Sequence, residues 1–389
     1  MREAVIVEAV RSPMGKKNGK LAGTHPVDLL ADVLKAAFER TGVDPAQVED
    51  HITGCVMQTG EQGLNIGRNA WLAAGLPEEV PATTVDRQCG SSQQAAHFAA
   101  QGVIAGAYDL VIASGVENMS RVPMGITAQQ GPGFPFPQSL MDRYDGGLVP
   151  QGISAEIIAE RWGLGREDLD RFGARSHTLA GAATTEGRFR TEIHPVKVQT
   201  DDGLEEFATD EGIREPNLEK MAQLKPAFKE DGVVTAANSS QITDGAAVLV
   251  IASREKAEEL GLTPRARFHT FALAGVDPIT MLTGVIPSTQ KALAKAGMRL
   301  EDIDRVEINE AFASVVLAWK KELDIPDEWF EEHVNVNGGA IALGHPLGAS
   351  GARLMTTLLH ELERSGGTFG LQTMCEGGGM ANATIIERL

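Results

Sequence analysis

Apolar and polar positions along this chain fall into two textures. Residues 3–9 form an apolar run that predicts a buried strand. From Pro26 onward, Leu29, Leu30, Val33, Leu34 and Ala37 recur at helical spacing, with Thr24 placed to cap the helix. Apolar runs at 50–57 and 81–86 predict two more strands on either side of a short helix at 66–74. A helix then follows Cys89, and the stretch YDLVIASG at 108–115 predicts the next strand. Strands alternating with helices imply a parallel arrangement with helices packed on the sheet.

The texture breaks at residue 120. The next thirty or so residues are rich in glycine and proline, the mark of a functional or assembly loop inside a compact protein. Helical spacing returns at 154–163 and 167–186, and the stretch 195–235 is polar and broken. Core texture resumes with DGAAVLVIAS at 244–253, suited to a central strand. After Pro264 the alternation starts again with a strand at 265–274 and a helix at 287–297. A strand ending at Asn309, a helix, a glycine-rich loop with its helix, and two closing strands complete the pattern. The expected organisation is an α/β fold with residues 1–119 plus 241–263 as a first core half. Residues 120–240 form an insertion over that core, and 264–389 form a second core half.

The second half reads as a worn copy of the first. VEDHITG at 48–54 and IDRVEIN at 303–309 both follow a polar helix end and open a strand. Cys89 and His345 both precede a small-residue helix, at nearly the same offset of about 255 residues, and a strand follows each helix. Duplication would bring two helix N-termini, one beside Cys89 and one beside His345, to face one site.

Composition narrows the class. The chain of 389 residues is long enough for two or three domains, and no run of about 18 apolar residues is present to span a membrane. The first ten residues carry Glu3 and Glu8 and lack the apolar core of a signal peptide. Three cysteines make no disulfide framework, fit a reducing cytoplasm, and have no zinc-site spacing. A net charge of −18 argues against nucleic-acid binding. The arginines at 161, 166, 171, 175, 188 and 190 read as a solvated helix face with paired charges.

Cys89 stands where a turn enters a helix lined with Gly90, Ser91, Ser92, Ala95, Ala96, Ala99 and Ala100. Unpaired N–H groups and the helix dipole favour a thiolate there, but only by about 0.3–1 kcal/mol, less than one pKa unit. Most buried cysteines are inert packing, so a nucleophile needs a base from elsewhere. Four stretches place polar groups at strand ends or glycine turns, where open α/β sheets bind ligands: QCGSS at 88–92, NEAF at 309–312, GGAIALGHPLGASGAR at 338–353 and MCEGGG at 374–379. Taken singly, His345 and Cys375 read as structural, Cys55 as core packing, and Glu310 as a charge at a helix N-terminus.

Together these stretches resemble the thiolase family, along nearly the whole chain. The resemblance implies a five-layered αβαβα sandwich of two duplicated halves with an inserted loop domain, assembled as a homodimer or homotetramer. It implies acyl transfer between coenzyme A thioesters through an acylated cysteine, with Cys89 as nucleophile, His345 as the base that takes its proton, and Cys375 as the acid/base toward acetyl-CoA. The N–H groups of Cys89 and Gly377 would hold the tetrahedral oxyanion. His345 and a water held by Asn309 would face the enolate oxygen. Coenzyme A enters as co-substrate rather than as a resident cofactor, with Ser240 in TAANSS along the pantetheine arm and Lys225 near the nucleotide. Short-chain members carry a His-Met-Gly pattern where this chain has Pro150-Gln151-Gly152, so longer or bulkier 3-ketoacyl chains and thiolytic cleavage are expected. The alternatives are an acetyl-CoA C-acetyltransferase, a decarboxylating ketoacyl synthase, a cysteine hydrolase, and an inactive acyl-CoA-binding protein.

Overall fold

A computed structural model describes residues 2–144, 147–200 and 203–389. Nine strands carry the fold: β1 (Ala4–Arg11), β2 (Asp50–Gly54), β3 (Ala82–Val85), β4 (Leu110–Asn118), β5 (Thr243–Ser253), β6 (Ala266–Gly275), β7 (Arg305–Ile308), β8 (Phe369–Glu376) and β9 (Met380–Arg388). Their spatial order is β7-β8-β9-β6-β1-β5-β4-β2-β3. The parallel arrangement expected from the alternation holds for β2 with β3 and β2 with β4 in the first half and for β7 with β8 in the second. The remaining neighbours are antiparallel.

Eight helices cover these strands: α1 (Pro26–Thr41), α2 (Ile66–Ala73), α3 (Ser91–Ala105), α4 (Gln151–Arg161), α5 (Arg166–Thr185), α6 (Val285–Ala296), α7 (Ala313–Glu322) and α8 (Ser350–Ser365). The first half-sheet packs α1 and α2 on one face and α3 and α8 on the other. Strand β5 shows how: Ala246, Val248, Val250 and Ala252 turn to α1, while Ala247, Leu249 and Ile251 turn to the central helices. Such strict alternation is what a strand buried on both faces requires. Helices α6 and α7 cover the far face of the second half-sheet. The order of layers is therefore helix, sheet, helix, sheet, helix, as the resemblance implied. The two sheets are stitched edge to edge by one short pairing, Val5 with Arg267 and Ile6 with Ala266.

The central helices touch through the smallest side chains. A Cβ on Gly351 would lie 2.2 Å from the backbone N of Gln93, and Ala352 N–H donates to Ser92 Oγ at 2.8 Å. Here the repeat needs a correction. Ser91 and Ser350 open α3 and α8 at an offset of 259, and Glu117 and Glu376 in the strands that follow keep it. Cys89 therefore corresponds to Gly348, and His345 lies three residues before that point. The extra residues sit in the longer loop ahead of α8.

The chain leaves the first half-sheet after Asn118 and re-enters at Thr243. Between them, the stretch read as broken contains an antiparallel hairpin, Val196–Thr200 with Gly203–Phe207. Fully buried Arg11 in β1 ties this region to the core, bonding Glu192 at 2.6 Å and Asp210 at 2.7 and 2.9 Å. The arginine-rich stretch pairs as expected: Arg166 with Asp170, Arg171 with Glu167, Arg175 with Glu331 and Arg188 with Glu186. Helix α1 opens at Pro26 as expected, but its cap is the residue directly before it, His25, whose Nδ1 accepts the Val27 N–H, and not Thr24, which lies one residue further out.

Candidate active site

Two turns meet over the N-terminal end of α3. In the first, Asp86 accepts the Gln88 N–H at 2.7 Å, and Gln88 takes a positive φ of 46°. Ser91 Oγ accepts the Arg87 N–H at 2.9 Å and donates to Gln88 O at 2.6 Å. This knot holds Cys89 one residue before the helix N-cap, Gly90. The second turn joins β8 to β9, with Gly378 and Gly379 both at φ 82°, a backbone that side-chain-bearing residues rarely adopt. It brings the N–H of Gly377 near the Cys89 sulfur, beside Cys89's own N–H and the amide of Gln151. A Cβ on Gly377 would sit 3.2 Å from Gln151 Nε2 and 3.2 Å from Gln88 Oε1, so the turn fits closely over the thiol. Cys375, the penultimate residue of β8, lies near enough that a negative Cys89 would raise its pKa.

His345 comes from the loop ahead of α8. Gly344, at φ 102°, lets the chain pass Thr243, where a Cβ would lie 2.2 Å from a side-chain carbon. His345 N–H then donates to Gln241 O at 3.1 Å. Ser350 Oγ donates to Pro346 O at 2.9 Å and stands 2.6 Å from His345 Nδ1. Because the hydroxyl proton is committed to Pro346, Nδ1 must donate to Ser350, and Nε2 keeps the lone pair. Asn309 Nδ2 faces that Nε2 at 3.4 Å. Asn309 follows β7, and its N–H donates to Thr373 O of β8 at 3.0 Å, which sets it one strand away from Cys375. The fold thus brings Cys89, Gly377 and Cys375 together on one side and His345 and Asn309 on the other, joined by β8.

The groups are buried. Burial, reinforced by Glu376, pushes the Cys89 thiol up to about 12, against the pull of Gln151 and the two N–H groups. Burial, then Cys89 and Glu376, pushes Cys375 up as well. Burial, with Arg353 nearby, holds His345 down at about 3. The resting site holds neutral thiols and a neutral imidazole. Desolvation outweighs a helix dipole worth under one pKa unit, so the helix end by itself makes no thiolate and the nucleophile still needs the base that the sequence reading asked for.

Of the remaining sequence candidates, Ser240 bonds Ala311 O through its N–H at 2.9 Å and precedes Gln241, which anchors His345, so it borders the site. Lys225 is exposed on the segment after a short helix, Leu218–Ala222. Glu310 is no helix-end charge. It is buried and takes hydrogen bonds from Ser176 Oγ at 2.6 Å, Asn335 Nδ2 at 3.0 Å and Ile341 N at 3.1 Å, cross-linking α5 to the loop before His345. Cys55 is core, as read. Two residues were not singled out for roles at the nucleophile. Gln151 was read only as a missing methionine, yet its amide reaches Cys89. Glu117 accepts four N–H bonds besides the Cys55 thiol, one of them from Gly348 N–H at 2.8 Å, and so fixes the His345 loop from the opposite half. The paired offset of Glu117 and Glu376 was the signal available for the second. A cavity of about 840 Å³ between α5 and α7, lined by Phe172, Arg175, Leu317 and Phe330, contains none of these site residues. Among the described residues, no helix is long and apolar enough to cross a membrane.

The chain matches the thiolase N-terminal domain over residues 4–255 and the thiolase C-terminal domain over 262–388. A steroid 3-ketoacyl-CoA thiolase of Mycobacterium tuberculosis is 51% identical, over 100% of this chain and 95% of that protein. A 3-ketoacyl-CoA thiolase of Idiomarina loihiensis is 46% identical over 100% of both chains. The crystal structure of the Bacillus anthracis acetyl-CoA acetyltransferase superposes with TM-score 0.91 at 41% identity, covering 100% of this chain and 99% of the other. Human mitochondrial 3-ketoacyl-CoA thiolase gives TM-score 0.91 at 36% identity over the same shares.

Proposed function

Because this chain belongs to the thiolase family, we propose that it is an acyltransferase that cleaves 3-ketoacyl-CoA with free coenzyme A, releasing acetyl-CoA and a shortened acyl-CoA. The observation that carries this reading is the pairing of two thiols under one glycine turn, with a neutral imidazole and an amide one strand away.

Cys89 attacks the 3-keto carbon while His345 Nε2 takes the thiol proton. With a resting thiol near 12 and an imidazole near 3, a preformed ion pair is disfavoured, so proton transfer accompanies attack. The tetrahedral oxyanion is held by the N–H groups of Cys89 and Gly377, which already point at the sulfur. Its collapse breaks the C2–C3 bond. The departing acetyl-CoA carries negative charge on its enolate oxygen, facing His345 and the Asn309 side, and Cys375 supplies the proton to carbon. The thiol of coenzyme A then gives its proton to the Cys375 thiolate and attacks the acyl-Cys89 carbonyl; the C–S bond to Cys89 breaks, and protonated His345 returns the proton to the Cys89 sulfur. A hydrolase or a decarboxylating synthase would leave Cys375 without a step.

For substrate, the Gln151-Gly152 pair supports 3-ketoacyl chains longer or bulkier than acetoacetyl. Gly152 leaves room only for Phe228, which a Cβ would meet at 2.2 Å and which packs edge-on to Phe312. Ser240 at the site border and exposed Lys225 are the proposed contacts to the pantetheine arm and the nucleotide. Leu64 is 94% exposed and β3 is a free sheet edge, surfaces suited to a second copy of the chain in a homodimer or homotetramer. Three free cysteines fit a cytoplasmic location. The deciding experiment is thiolysis kinetics across a series of 3-ketoacyl-CoA chain lengths, with mass spectrometry of the Cys89 peptide. Higher kcat/KM for long or ring-bearing substrates and an acylated Cys89 are expected. A strong preference for acetoacetyl-CoA would move the assignment to acetyl-CoA C-acetyltransferase, and an enzyme that never acylates Cys89 would leave only the binding-protein reading.

A further inference from the structure

One buried carboxyl has no part in that reaction. Glu376 ends β8 directly after Cys375 and is fully buried. Its counterpart in the first half, Glu117, is equally buried and uses its carboxylate, besides the Cys55 thiol, on four N–H donors: the N–H groups of Val56, Met57 and Gly348 at 2.9, 3.0 and 2.8 Å, and Gln62 Nε2 at 2.6 Å. Glu376 has inherited the position without the donors. Both of its carboxyl oxygens are buried and unpartnered.

The carboxyl is aimed at the turn that carries the nucleophile. A Cβ on Gly90 would lie 2.1 Å from Glu376 Oε1, so the side chain reaches the N-cap of α3 only because residue 90 is glycine. Asp86 and Arg87 face it from the turn before Cys89, and Cys89 and Cys375 face it from the reacting side. Asn382 of β9 stands beside it, with Nδ2 committed to Gly90 O at 3.1 Å and Oδ1 unpartnered. A negative charge at the N-terminal end of α3 repels a thiolate on Cys89 and draws on the same helix dipole. An uncharged carboxyl does not.

We propose that Glu376 sets the ionisation of Cys89: while its carboxyl is protonated the nucleophile is free to lose its proton, and once it is a carboxylate the nucleophile is held as a thiol. Glu376 touches no reacting atom and acts through Cys89, as a positioning residue for charge. Burial pushes its carboxyl up to about 8, with Asp86 adding to the rise and Arg87 opposing it. It is therefore mostly neutral at pH 7 and charged above pH 8, and the enzyme has a built-in alkaline limit.

The inference rests on Cys89 as the nucleophile, but its test uses no substrate. The rate of Cys89 alkylation by iodoacetamide is followed from pH 6 to 10 by mass spectrometry of the Cys89 peptide, in the full chain and in Glu376→Gln. The two are expected to agree within about twofold at pH 6.5. At pH 9 the variant should react roughly fivefold faster, the effect of somewhat under one pKa unit. A ratio that does not rise with pH overturns the proposal. Should Glu376→Gln fail to fold, the wild-type profile decides alone: the log rate for Cys89 must climb with a slope below one between pH 7 and 9, and a straight unit slope overturns the idea. Glu376→Asp, which keeps the charge, should keep the shallow profile. Loss of thiolysis with this profile intact would count against the proposed reaction and leave the role of Glu376 standing.

Discussion

Asn309 is buried, its Oδ1 has no partner, and its Nδ2 points at the one imidazole nitrogen that carries a lone pair. It makes few bonds that hold the fold, so Asn309→Ala separates chemistry from stability. Removal of one oxyanion donor costs about 2.7–4 kcal/mol. Turnover should therefore fall by roughly 10²–10³ while circular dichroism and the melting temperature stay near wild type. Full activity in this variant removes Asn309 from the reaction. Gln151 belongs at the same scale. Its amide is a neutral donor to the Cys89 sulfur, and a hydrogen bond to a charged group contributes about 1.5–3 kcal/mol. Gln151→Ala should slow alkylation of Cys89 at pH 8 about tenfold, opposite in sign to the change made by Glu376→Gln. An unchanged rate shows that the amide does not reach the thiolate. The NEAF stretch pointed to Asn309 from the sequence, but the role of Gln151 was not legible there, because it lies about sixty residues from Cys89 along the chain and only packing brings them together.

At the scale of elements, α3 and α8 place the two reactive loops, and their close approach depends on Gly351. A Cβ there meets the backbone N of Gln93 at 2.2 Å, and backbone does not give way as the end of a side chain does. Gly351→Ala should cost about 1–3 kcal/mol in urea unfolding, the range for overpacking a dense interior, and should lower kcat by displacing His345 relative to Cys89. A variant with wild-type stability would show that the helices are free to slide. The helices themselves were readable: small residues after Cys89 and an apolar stripe after Ser350 announce interior helices. Their relative register was not. Sequence spacing paired Cys89 with His345, whereas the strands and helices pair Cys89 with Gly348, because loop length does not report where a helix begins.

At the scale of the molecule, buried titrating groups set how stability depends on pH. His51, His97 and His345 are each held near 3 by burial, against 6.5 when unfolded, so their contribution is complete above pH 6.5 and is lost as pH falls toward 3. Glu307 and Glu376 run the other way. Burial raises both to about 8 from 4.5, so the folded state holds their protons and stability is lost as pH rises from 4.5 through 8. Between 4.5 and 6.5 the three histidines outweigh the two carboxyls by one proton, and above 6.5 only the carboxyls act. Urea midpoints should therefore rise with pH up to about 6.5 and fall from there to 8, with a slope of up to roughly 1.4 kcal/mol per pH unit for each unbalanced proton. Glu376→Gln should shallow the fall above pH 6.5 and steepen the rise between 4.5 and 6.5. A midpoint still rising from pH 6.5 to 8 would show that these carboxyls ionise freely in the fold.

By itself, the sequence determined the α/β class, the duplication and the insertion, and it named the candidate side chains of the site. Hydrophobic period, glycine turns and short motifs are local properties, and a chain with this pattern has few ways to bury its apolar faces. Only the tertiary structure decided the protonation of the site. Cys89, from the first half of the chain, and His345, Cys375 and Glu376, from the second, are all buried, and desolvation outweighs the weak dipole at the end of the Cys89 helix. Burial belongs to the assembled molecule and to no single stretch of it, which is why spacing along the chain could name these groups but could not set their charge.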